Sequence, residues 1–201
     1  MVLADNYHGT PLTNPNDVTV DGRGRVYFSD PGASAVYRID GPGKTQRIVR
    51  APDVRQPGGV QISPYGKTLY IGDYAAPPDG PRLVRAFDLS PDGSASKMRV
   101  LYDSKVNRGP DGICIDTEGT LYVAAGLNAR QRGPRATSSA TIDTRAGIYV
   151  LSATGTLIRF IPIAEDNVTN CAFGGVDMKT MYVTAGKTLY RIPVDVAGLP
   201  R

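Results

Sequence analysis

TNPNDVTVDGRGRVYFSDP, residues 13–31, holds two short stretches of strand-forming residues, DVTVD and RVYFSD, joined by a Gly-bearing turn. Val, Thr, Tyr and Phe favour a pleated, half-buried surface, and Gly supplies the positive φ that a tight turn requires. The stretch therefore reads as an antiparallel hairpin. Asn16 and Asp17 are its oddity, because two polar side chains stand directly before a strand that otherwise reads as buried. A single hairpin does not explain them.

The same unit returns three more times. RVYFSD (25–30) is matched by TLYIGD (68–73), TLYVAA (120–125) and TMYVTA (180–185), and the shared tyrosines are spaced by 43, 52 and 60 residues. Each anchor follows a strand and a turn: DVTVD-GRG, GVQIS-PYGK, GICID-TEG and NCAFG-GVDMK. Each precedes a third strand: AVYRID (35–40), RLVRAFDLS (82–90), GIYVLS (147–152) and TLYRIPV (188–194). A fourth strand follows in three cases: QRIVR (46–50), MRVLY (98–102) and LIRFI (157–161). Four antiparallel strands repeated at roughly 40–50 residues, with loop insertions at the upper end, are the pattern of propeller blades. The fold expected is all-β, a single β-propeller domain over 1–201 with four blades at about 14–50, 56–102, 109–161 and 167–194. No fourth strand follows TLYRIPV, and Val2-Leu3-Ala4 stands where later units have their outermost strand. The expectation is a partial propeller, a piece of a longer chain, since natural sheets avoid unpaired edges.

Composition agrees. Among 201 residues, 23 Gly and 16 Pro exceed the roughly 12% expected on average and suit many short strands joined by turns. A hydrophobic share of 41% against 21% charged residues is that of a globular chain. MVLADNYHG has no apolar h-region, and no apolar run reaches the roughly 18 residues of a membrane span. The default expectation is a cytoplasmic location without membrane contact, any leader of a longer chain lying before Met1. A net charge of +4 is mild. The densest basic run, Ala129–Arg135, lacks the interleaved aromatics of a nucleic-acid surface, so a solvated loop is expected and no nucleic-acid partner. That run belongs to a long loop, 127–146, which would lie beside the channel mouth either as a surface excursion or as a substrate-shaping element. Cys114 and Cys171 fall inside strand patterns and are expected to be buried free thiols, and a single His8 excludes a multi-histidine metal site.

Alignment on the tyrosines places Asn16, Gly58, Asp111 and Thr169 in one column before the innermost strands, with Asp17, Gly59, Gly112 and Asn170 in the next. Innermost strands line a propeller's channel, so their first residues converge at one mouth. Carboxylate and amide oxygens meeting there suit a hard divalent cation, and Asp111 would accept a proton from an attacking water. Asn-Asp and Pro-Asp-Gly are also ordinary turn formers. Only the shared register raises the reading as a site above that of ordinary turns.

LADNYHGTPLTNPNDVTVDGRGRVYFSDP, GGVQISPYGKTLYIGD, GPDGICIDTEGTLYVAAGLN and VTNCAFGGVDMKTMYVTAGKTLYRI resemble, in order, the senescence marker protein, gluconolactonase and luciferin-regenerating enzyme family of regucalcin-like six-bladed propellers. The resemblance implies blades three to six, the first two lacking. It implies a metal-dependent hydrolase of sugar lactones, with calcium as the leading cofactor and magnesium, zinc or manganese as alternatives. Its partner would be a small lactone or other ester. In the family a Glu of the first blade, an Asn of the fourth and an Asp of the fifth hold the metal, and an Asn of the third contacts substrate or metal. Asn16 matches the third-blade position and Asp111 the fifth, as ligand and base; Asp17 would join Asn16 in positioning sugar hydroxyls. The first-blade Glu has no counterpart, and Gly58 stands where the fourth-blade Asn is expected. The rival readings are a non-catalytic binding propeller and an inactive fragment.

Overall fold

The computed structural model describes residues 1–75, 80–105, 109–125 and 145–200. A two-stranded hairpin, β1 (Asn6–Tyr7) with β2 (Thr10–Pro11), precedes the blades. The first blade is β3 (Val18–Val20), β4 (Val26–Asp30), β5 (Ala35–Ile39) and β6 (Thr45–Arg50). The second is β7 (Pro57–Ile62), β8 (Thr68–Tyr74), β9 (Arg82–Leu89) and β10 (Ala95–Asp103). In the third, β11 (Ile113–Ile115), β12 (Leu121–Ala125), β13 (Gly147–Leu151) and β14 (Leu157–Pro162) follow the same order. The last is three-stranded, β15 (Val168–Gly174), β16 (Thr180–Ala185) and β17 (Thr188–Pro193). Pairing within every blade is antiparallel between sequence neighbours, so each is a meander and the assembly is the four-bladed all-β propeller arrangement expected.

Local chemistry explains why the blades share one register. Asp21 accepts hydrogen bonds from the Arg23 and Arg25 N–H groups through Oδ1 and from the Tyr27 hydroxyl through Oδ2. Asp116 repeats this with the Glu118 and Thr120 N–H groups and the Tyr122 hydroxyl. The Asp closes the β-turn and ties it to the tyrosine of the next strand, so the aromatic column is part of the turn. In the second blade, where the turn to the tyrosine is one residue longer, Ser63 Oγ takes the Lys67 and Thr68 N–H groups. The third residue after each of these turn-formers has a positive φ: Gly24 (78°), Gly66 (67°) and Gly119 (86°). In the fourth blade a Met stands at this position. Met178, whose N–H donates to the Gly175 carbonyl in the matching position, holds φ at 56°.

Blades pack face to face, and alternate residues of each strand go to opposite neighbours. Leu69 and Ile71 pack with Tyr27, Val36 and Val49 of the first blade, whereas Tyr70 packs with Ile113, Ile115 and Val123 of the third. A third cluster joins Tyr122, Ile148 and Val150 to Val168, Met181 and Val183 of the fourth. Central strands such as β12 are thus buried on both faces and read as unbroken apolar runs. β16 alternates buried and exposed, and Tyr182 and Leu189 of the fourth blade are 38% and 65% exposed.

One expectation is corrected here. Val2-Leu3-Ala4 does not form an outermost strand; the first strand pair is the β1–β2 hairpin just after it. Strand formation needs a hydrogen-bonded neighbour, and of these three residues Val2 and Leu3 are exposed while Ala4 packs on a sheet face. Ala4, Tyr7 and Leu12 pack on Phe28, Ala35, Tyr37 and Ile39, with the Tyr7 and Tyr37 ring centroids 5.3 Å apart. The basic run and nearly all of the 127–146 loop lie outside the described residues.

Candidate functional site

The site is built where the blades' innermost strands begin, and two buried aspartates hold the chain leading into them. Asp30, at the end of β4, accepts from the Thr13, Asn14 and Ala33 N–H groups at 2.8, 2.9 and 3.1 Å. Asp73, at the end of β8, takes the Arg55 and Gln56 N–H groups on Oδ1 and the Arg85 guanidinium on Oδ2 at 2.7 Å. Both are fully buried. They fix the segments that deliver Asn16 and Gly58. The sequence carried a signal for them, since RVYFSD and TLYIGD end in Asp where TLYVAA and TMYVTA end in Ala, but this contrast stayed unread.

From these supports a chain of hydrogen bonds runs from blade to blade. The Asn16 N–H donates to the Ser29 carbonyl, and Ser29 Oγ donates to the Gly58 carbonyl at 2.5 Å. The Gly59 N–H donates to the Asp111 carbonyl at 3.0 Å, and the Gly112 N–H to the Thr169 carbonyl at 2.7 Å. Such close backbone approach leaves no space for side chains at Gly59 or Gly112: a Cβ would collide with the Asp111 carbonyl at the first and with the Asn170 side chain at the second. Gly58 differs. A Cβ there would meet Asp111 Oδ1 and the Gly72 carbonyl at 3.7 Å, which is ordinary contact. Gly58 and the Asp111 carboxylate are therefore neighbours across the second and third blades, with room for a side chain between them. Asn16 reaches this group through its backbone; its exposed residue borders a separate depression with Leu12, Pro15 and Phe28.

Asp17 occupies the inner side of the ring. Oδ2 accepts the Val60 N–H at 2.9 Å, and Oδ1 accepts Asn170 Nδ2 at a long 3.4 Å, joining the first, second and fourth blades. Together with Thr19, Gln61, Cys114, Asn170 and Cys171 it borders a channel cavity of about 590 Å³. Gln61 braces that wall by accepting from the Thr19 hydroxyl at 2.8 Å. Burial pushes the Asp17 carboxyl up, and the bonds from Val60 and Asn170 only partly oppose it. The folded group thus binds its proton more readily than the unfolded one. Its contribution to stability is complete below the unfolded pKa and is lost as pH rises through the folded value. Asp17→Asn, which stays neutral, is expected to gain melting temperature relative to the parent between pH 4 and pH 7 in chelator-treated buffer. A difference that is flat or shrinks over that range, read by thermal denaturation, would contradict this account.

Among the described residues, no group of three or more His, Cys, Asp or Glu side chains lies close enough to hold an ion. A divalent cation beside the Asp111 carboxylate would also take amide, carbonyl or water oxygens, donors that suit a hard ion such as calcium.

A family model described as the SMP-30/Gluconolactonase/LRE-like region matches residues 1–187. The chain belongs to this family. Within the SMP-30/gluconolactonase/LRE-like group it is 29% identical over 186 residues to regucalcin of Danio rerio, covering 87% of this chain and 55% of that protein. It is 23% identical over 222 residues to gluconolactonase of Zymomonas mobilis, covering 98% of this chain and 55% of that one. A solved gluconolactonase from Xanthomonas campestris superimposes with a TM-score of 0.75 at 25% identity, over 96% of this chain and 61% of that structure. The chain spans about half the length of the curated relatives it matches.

Proposed function

We propose that the protein carrying this chain is a metal-dependent hydrolase of sugar lactones, of gluconolactonase type. The observation behind the reading is the Asp111 carboxylate held 3.7 Å from the side-chain position of residue 58, at the start of the innermost strands. Asp111 is the general base: it takes the proton from the water that attacks the ring carbonyl. Asn16 and Asp17 orient sugar hydroxyls, Asp17 exchanging its long Asn170 bond for one from the substrate. Asn16 and Asp111 supply oxygens to a divalent cation, calcium before magnesium, manganese or zinc, whose chemistry when bound is to offset charge developing on the carbonyl oxygen. The phosphoryl oxygen of a phosphotriester or the carbonyl oxygen of a simple ester would use the same groups.

A second reading, binding without hydrolysis, is favoured by Gly58. It removes a side-chain oxygen from the position where family members carry a ligand Asn, and propellers host many unrelated functions.

Calcium titration separates them. Hydrolysis of gluconolactone that is lost with chelator and restored by calcium is expected, together with a melting temperature that rises with calcium. A calcium-dependent rise without hydrolysis would favour the binding reading. Gly58→Asn is expected to tighten calcium by about tenfold, a carboxamide oxygen being added beside Asp111 without backbone conflict. Isothermal titration checks it, and unchanged affinity would remove position 58 from the site.

A further inference from the structure

We propose that Cys114 and Cys171 form a site of reversible oxidation, closing to a disulfide that ties the third blade to the fourth. Both are free cysteines, on β11 and β15, and their sulfurs lie 2.7 Å apart. A disulfide holds its sulfurs at about 2.05 Å, so closure asks for less than about 1 Å of relative movement. A shared metal ion asks for the opposite. Two thiolates at about 2.3 Å from a tetrahedral zinc stand roughly 3.8 Å apart. The separation therefore favours a bond between the sulfurs over an ion between them.

The surroundings fix the pair in this attitude. The Cys171 thiol donates to the Tyr122 carbonyl at 3.2 Å, which leaves the Cys114 thiol to donate to the Cys171 sulfur. The Cys171 N–H is bonded to Asn170 Oδ1 at 2.8 Å. Although only 5% and 6% exposed, both residues border the channel cavity, which gives a molecule the size of hydrogen peroxide a route to them. Burial, then the hydrogen bond with Cys171, pushes the Cys114 thiol well up. The thiolate is the reactive form, so sustained rather than brief exposure is needed at neutral pH.

The oxidant is a hydroperoxide, with hydrogen peroxide the simplest case. One sulfur attacks a peroxide oxygen, the O–O bond breaks, and the departing hydroxide leaves as water with a thiol proton, giving a sulfenic acid. The second sulfur displaces the sulfenic hydroxyl, forming the S–S bond, and the second thiol proton leaves in a second water. Two electrons pass from the sulfur pair to the peroxide.

Prolonged exposure of the folded protein to hydrogen peroxide, alkylation of remaining thiols and digestion without reductant test this. A Cys114–Cys171 linked peptide pair is expected within one chain, with a mass loss of about 2 Da that a thiol reductant reverses. The cross-link closes a long loop between residues 57 apart, so the melting temperature should rise by roughly 5–10 °C. Cys171→Ser should show neither change and instead carry sulfinic acid at Cys114. Full alkylation of both thiols after exposure, separate sulfinic acids on the parent protein, or links only between chains would each overturn the proposal. The mapping on the unmutated protein decides it even if the variant fails to fold.

Discussion

Asp111→Asn is expected to lower the proposed lactone hydrolysis by about 10³-fold in kcat, within the range that a positioned base contributes. The substitution is selective because the backbone of Asp111 has hydrogen bonds of its own, which Asn keeps. Its N–H donates to the Ala124 carbonyl at 2.9 Å, and its carbonyl accepts the Gly59 N–H. Asn keeps the shape and one ligand oxygen but cannot take a proton. The fold should therefore change far less than the rate, and the melting temperature should stay within a few degrees of the parent, while saturating calcium offsets the weaker binding that follows from the lost charge. Steady-state kinetics on gluconolactone with saturating calcium, set beside thermal denaturation, make the measurement. A variant with undiminished kcat would take the role of base away from Asp111. A variant that loses rate and fold together would make Asp111 a structural residue.

Asp30→Ala is expected to be the most damaging of the stability changes considered, at about 3 kcal/mol, or a fall of roughly 6–12 °C in melting temperature. The wholly buried carboxylate is the acceptor for three backbone N–H groups from two separate segments, and Ala leaves all three without it. Water cannot easily take its place, because neighbouring Ser29 and Ala35 are themselves completely buried. Loss should extend to the site, since residues 13 and 14 fix the approach to Asn16. Asp53→Ala, on an exposed turn, is the control and should stay within about 0.5 kcal/mol of the parent. A loss at Asp30 no larger than at Asp53 would show that the lead-in segments are held by other contacts.

How much of this was legible beforehand follows from what repeats. A blade is a local object: its strands are sequence neighbours, its turns are closed by residues a few positions apart, and Asp21 with Tyr27 or Asp116 with Tyr122 span only six residues. Residue type and spacing suffice to write such a unit, and four copies fix the architecture. The column Asn16, Gly58, Asp111 and Thr169 was legible for the same reason, because register within a repeat translates directly into position around an axis. In the fourth blade's turn Met178 stands where the other three have Gly24, Gly66 and Gly119, and a side-chain-bearing residue is held there at positive φ.

What tertiary structure alone decided lies between the repeats. Pairings such as Asp17 with Asn170, separated by 153 residues, arise only when blades are set around a common axis. No local spacing announces them. Whether a glycine is obligatory is likewise a question of the neighbouring blade: a Cβ at Gly59 or Gly112 would collide with it, while a Cβ at Gly58 would make only ordinary contact with Asp111. Val2-Leu3-Ala4 stands where the repeat puts an outermost strand, yet pairing is a property of the neighbour. Cys114 and Cys171 read as two unrelated buried thiols, since each sits correctly in its own repeat. Only the packing of the third blade on the fourth brings their sulfurs into contact. Local hydrogen bonding writes the blades, and the burial of their faces against one another writes the site.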